Sequence, residues 1–73
     1  MRKFLFVLSA TAVKPGETFG PVNTNITKEI HGLLPNEKEL YQVRYQFFDF
    51  LSKKGYSLLM DQVIILGFYQ IES

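Results

Sequence analysis

Phe4-Leu5-Phe6-Val7-Leu8 and Val63-Ile64-Ile65-Leu66-Gly67-Phe68 are apolar at successive positions. A strand points successive side chains to opposite faces, so each segment presents hydrophobic groups above and below its sheet. Only one later stretch of the 73-residue chain has the period of a helix, and one helix buries one face. Another surface must meet the second face, and a further copy of the chain is the economical candidate. At this length a single core gives marginal stability unless a disulfide, a metal or oligomerisation supports it. The chain has no cysteine and a single histidine, His31, which removes the disulfide and a four-ligand zinc site, so oligomerisation is the support that remains. No cofactor or metal is expected.

Hydrophobic residues make up 47% of the chain, with seven Phe and four Tyr, so it has the material for a packed core and is not a disordered segment. Eight Lys and Arg are interleaved with seven carboxylates for a formal charge of +1. That balance disfavours nucleic acid, which selects a basic stripe because affinity comes from neutralising phosphates. The start, Met1-Arg2-Lys3 before an apolar run and Ala10-Thr11-Ala12, also has the layout of a secretory signal. A buried first strand is the preferred reading, because the strongly apolar part stops at Leu8, short of the roughly seven residues such a signal needs. No stretch reaches the length of a membrane span, so a cytoplasmic protein without membrane contact is expected.

The first strand is expected over Lys3 to Val13 and a more polar second strand over Thr18 to Glu29, joined through Lys14-Pro15-Gly16-Glu17, which has Pro and Gly in the order of a type II turn. Pro21 and the polar residues alternating with Val22, Thr24 and Ile26 mark the second strand as an edge. Asn36 with Glu39 three positions later is a capping-box signature, and Gly55 follows Lys53 and Lys54 as a stop signal, bracketing a helix from Glu37 to Lys54. A last strand over Gln62 to Ile71 completes a single α+β domain of ββαβ type. A hairpin followed by a right-handed crossover places the last strand beside the first, in order 2-1-3, with the helix on one face. The last strand then lies at an open edge, where Val63, Ile64, Ile65, Leu66 and Phe68 form the expected oligomer interface.

At about 100° per residue, Leu40, Val43, Phe47, Phe50 and Leu51 share one stripe of the helix, expected to face the sheet. Tyr41, Tyr45 and Phe48 form a second group beside it, with Arg44 between the two. Tyr, Phe and Arg are enriched where proteins meet, which makes this group, with His31, the candidate ligand-binding or interface site. Arg44 has two readings: a solvated side chain whose stem covers apolar surface, or a planar fork on an anionic ligand or a partner carboxylate. Catalysis would need a nucleophile or carboxylate beside His31, and no serine lies in a nucleophile motif. Glu37 and Glu39 suit the first turn of a helix for dipole reasons alone.

Lys3-Phe4-Leu5-Phe6-Val7-Leu8-Ser9 with Thr11, the pair Phe19-Gly20, and Val63-Ile64-Ile65-Leu66 resemble small ββαβ accessory proteins encoded by phages and prophages. The resemblance spans most of the chain through strand-core residues and carries no catalytic motif. It implies a non-enzymatic homo-oligomer in the cytoplasm of a bacterial host, inhibiting host defence by sequestering a ligand, such as a nucleotide immune signal, or by occluding a host protein. The alternative is a small enzyme subunit using His31 or a carboxylate.

Overall fold

A computed structural model of the chain describes residues 1–14, 16 and 20–72. Strand β1 (Arg2–Ala12), strand β2 (Gly20–Ile30), helix α1 (Glu37–Lys53), a short 3-10 turn (Met60–Gln62) and strand β3 (Val63–Glu72) follow one another along the chain. The strands form one antiparallel sheet in order β2-β1-β3, so the arrangement is α+β, ββαβ, with β1 in the centre. Each boundary lies within two residues of its sequence expectation. Pro15, Glu17, Thr18 and Phe19, on which the expected turn and the opening of the second strand partly fall, lie outside the described residues. Gly16 has a φ of 83°, a left-handed value that side chains with a Cβ rarely adopt.

Alternation along β1 decides where the core is. Phe4, Phe6, Leu8, Ala10 and Ala12 are buried, and the residues between them are only half-buried. Phe4, Phe6, Leu8 and Ala10 join Ile30 of β2, Val43, Phe47 and Leu51 of α1, and Val63 of β3 in one cluster. Every member of the sheet's contribution therefore lies on the face that carries the helix. Cross-strand partners share a face, so Ile26–Phe6–Phe68, Thr24–Leu8–Ile65 and Val22–Ala10–Val63 are rows beneath α1. The opposite face reads Thr27–Leu5–Tyr69, Asn25–Val7–Gly67 and Asn23–Ser9–Ile64.

The helix ends are specified locally. The Asn36 side chain accepts from the Glu39 amide at 2.8 Å, and Glu39 Oε1 accepts from the Asn36 amide at 3.0 Å, so the capping box forms as its sequence signature requires. At the other end Gly55, with φ 95°, lets its amide reach Ser52 O at 3.1 Å while the Tyr56 amide reaches Leu51 O at 3.1 Å. That pair of bonds is a Schellman stop, which satisfies carbonyls the helix would otherwise leave unpaired. The chain is then tied to the end of β1, where Val13 donates to Ser57 O at 3.1 Å and Ser57 donates in return.

One expected core residue lies elsewhere. Phe50 is 53% exposed, although it falls on the edge of the helix stripe. The buried positions Val43, Phe47 and Leu51 span a narrower arc, and a three-stranded sheet is not wide enough to cover the flank on which Phe50 lies. Phe50 overhangs β2, with Lys54 Nζ 5.1 Å from its ring centre.

Replacing Asn36 by Ala removes the side chain that accepts from the Glu39 amide and leaves the backbone amide of residue 36 on Glu39 Oε1. Stability in urea unfolding should fall by about 1 kcal/mol with the fold retained, as for other N-cap deletions.

Candidate functional site

The face of the sheet away from α1 carries an apolar band on one side and a polar band on the other. Ile64 and Tyr69 are 51% and 57% exposed, and they flank Ser9 and Leu5 of β1. Leu66, 60% exposed, is the extra residue of a bulge, since the register passes from Val7↔Gly67 to Leu8↔Ile65. Gly67 takes the position beside it, where the absence of a side chain lets Val7 remain uncovered. Across β1 the same face ends in Asn23, Asn25 and Thr27 of β2, all exposed. At one end Lys3 sits between its cross-strand partners Glu29 and Glu72, with its Nζ 3.4 Å from the Glu72 carboxylate.

The residues expected at the oligomer interface divide between the two faces. Val63 is fully buried under α1, so its side chain is inside the subunit, and Ile65 packs partly buried against the same core. Ile64 and Leu66 are on or beside the open face, and Phe68 is 36% exposed within a cluster of rings, 5.8 Å from Phe6 and 6.0 Å from Phe4. Period-two alternation placed Ile64 and Ile65 on opposite faces, and the register agrees.

Three of the helix residues singled out by their spacing form a ladder. Tyr41 stacks on Tyr45 with ring centres 6.4 Å apart, and Tyr45 meets Phe48 at 6.1 Å. Tyr41 and Tyr45 are exposed while Phe48 packs against the core, so the ladder runs from solvent into the edge of the interior. Beside it, Glu37, Lys38, Leu40, Tyr41 and Arg44 of α1 and Ile65 of β3 line an open groove of about 660 Å³. A space of that size, apolar in its walls and with a cation at hand, suits a small ligand or a partner side chain.

Arg44 has a role that the sequence did not disclose. Its Nε donates to Val63 O at 3.0 Å and an Nη donates to Met60 O at 3.2 Å, both in a partly buried setting. The fork thus clamps the 3-10 turn and the first residue of β3 to the helix. The planar geometry is used on backbone carbonyls, which lie nineteen and sixteen positions away along the chain and carry no sequence signal.

His31 stands apart from this group. It is exposed just past the end of β2 and lines none of the three grooves at the surface formed by Thr24–Lys53, Glu37–Ile65 and Met1–Glu72. Among the carboxylates, Glu39 is committed to the helix cap and Asp49 pairs with Lys53 at 3.0 Å. The hydrogen bond and charge of Asp49 hold the Lys53 ammonium above its ordinary pKa. Among the described residues no group of three or more His, Asp or Glu is placed to hold a metal ion, and no helix is long and apolar enough to cross a membrane.

Arg44→Lys keeps the charge, but one ammonium cannot span both carbonyls. Urea unfolding should show a loss of about 1 kcal/mol, the usual worth of a hydrogen bond forfeited in a partly buried place. An unchanged midpoint would mean that the clamp is not formed in solution.

No protein-family model, no curated protein and no solved structure matches the chain, so the geometry of these surfaces carries the functional reading.

Proposed function

We propose that this chain is a non-enzymatic binding protein that works as a homo-oligomer, with further copies covering the open face of the sheet. The observation that carries the reading is the exposure of Ile64, Leu66 and Tyr69 beside Leu5 and Val7 on the face that α1 does not reach. Contiguous apolar surface of this kind marks an interaction site. A copy of the same chain brings an identical band, and a two-fold axis lays one band on the other without a foreign partner.

Assembly leaves the α1 surface outward. Tyr41 and Tyr45 are exposed there, and the groove lined by Leu40, Tyr41, Arg44 and Ile65 opens beside them. This is the place for the ligand or partner, with an anionic group favoured by Lys38 and by the charge of the clamped Arg44, two cations against the one carboxylate of Glu37 in the lining. Action inside a bacterial host, on a defence ligand or a host protein, rests on the resemblance to small phage proteins.

Light scattering at micromolar concentration should give a mass that is a multiple of 8.5 kDa, and a clean 8.5 kDa particle would end the proposal. Ile64→Lys places a charge on the exposed band and should dissociate the assembly with the fold intact. Ile65→Lys pushes an ammonium against the core and should cost about 2 kcal/mol or more in unfolding free energy. If both variants keep the parental mass, the open face is not the contact.

A further inference from the structure

The sheet has two open edges, and the structure treats them differently. Along β3 the register breaks twice, between Lys3 and Phe4 and between Val7 and Leu8, and Arg44 occupies the carbonyl of its first residue. Bulges and a covering cation are what proteins place on an edge to stop it pairing. β2 carries neither. Its pairing with β1 runs without a shift from Arg2↔Ile30 to Ala12↔Gly20, so its outer edge is straight for its full 11 residues.

The direction of that edge's free groups follows from two observations. Residues of an antiparallel strand alternate between those that exchange both bonds with a neighbour and those whose amide and carbonyl face away from it. Val13 exchanges both bonds with Ser57, in the segment that leads into β3, so the odd positions of β1 face that side and Ala10 turns toward Val22 of β2. The even positions of β2 are then bound to β1, and Asn23, Asn25, Thr27 and Glu29 face outward. Pro21 falls in the outward set, the phase in which a strand proline forfeits no ladder bond to β1.

We infer that the outer edge of β2 pairs antiparallel with β2 of a second copy, joining two sheets into one continuous six-stranded sheet. Resting on the proposed self-association, this names a contact different from the open face. Overlap of Val22–Lys28 with its copy, which leaves Pro21 beyond the paired stretch, puts the two-fold axis at Asn25, opposite itself, with Asn23 opposite Thr27 and Thr24 opposite Ile26. Charge favours this direction. Antiparallel pairing holds Lys28 about 20 Å from its copy, well beyond the ~8 Å screening length, whereas a parallel pair would set like charges side by side. There is room beneath the join, since an open groove of about 340 Å³ lies between β2 and α1, with Ile26, Phe47 and the overhanging Phe50 on its apolar side and the Asp49–Lys53 pair on its polar side. The Ile26 and Phe50 side chains of a second copy are apolar groups that suit the apolar side of that groove.

The chain has no cysteine, so a single introduced thiol is unique. Asn25→Cys places two thiols at the axis, with Cα atoms about 5.5 Å apart, inside the range a disulfide spans. Mild oxidation of the native protein should convert it to a covalent dimer, and the same treatment in urea should not. In the unaltered protein, hydrogen exchange should find the Asn23, Asn25 and Thr27 amides protected alongside those of Thr24 and Ile26. An oligomeric mass with no cross-link and fast exchange at Asn25 overturns this contact and leaves the proposed self-association standing. A monomeric mass removes both. Protection of the Asn25 amide only in a particle that contains a different protein would assign the edge to a foreign extended segment and overturn the second copy.

Discussion

Phe4, Phe6, Leu8, Ala10 and Ala12 anchor the molecule because alternation turns all of them to one face of the central strand, and α1 closes over that face alone. Burying Val43, Phe47 and Leu51 against this row fixes which way the helix faces, and it draws Ile30 and Val63 in from the flanking strands. The same alternation commits Leu5 and Val7 to the other face, where the sheet has no second layer. They are half-buried only because β2 and β3 stand on either side of them. The uncovered apolar band is therefore a consequence of how the core is made. Polar replacements on β1 would remove the band, but they would also remove the two-sided apolarity that suits a central strand.

The helix does more than cover the core. Arg44 fastens the start of β3 through two backbone carbonyls, and the turn after Gly55 fixes the chain to Val13 at the end of β1. The pairing of β3 with β1 also shifts register twice, whereas that of β2 runs without a shift. The aromatic ladder Tyr41, Tyr45 and Phe48 lies on the helix side of the sheet, away from the open face and beside the groove at Arg44.

Much of this was legible in the sequence where the signal is local. The capping box at Asn36 and Glu39 and the glycine stop at Gly55 formed as their spacing indicates, and strand order followed from one hairpin and one crossover. Ile64 and Ile65 fell on opposite faces because period two leaves no alternative within that stretch of strand. Phe50 did not follow its helical phase into the core, since burial depends on the width of the sheet beneath it as well as on angle. The clamp made by Arg44 was invisible because carbonyls have no identity in a sequence, and the same charge pattern reads equally as a solvated or a ligand-binding arginine. The bulge at Leu66 left only the ambiguous mark of Gly67 beside it.

The account turns on the claim that the open face is completed by further copies of the chain, and concentration dependence of unfolding tests this most directly. When only the assembled state covers the apolar band, mass action makes the folded form more stable as protein concentration rises. The thermal midpoint should then climb steadily between low and high micromolar protein. A midpoint that stays fixed across that range, with a particle of 8.5 kDa throughout, would contradict the account.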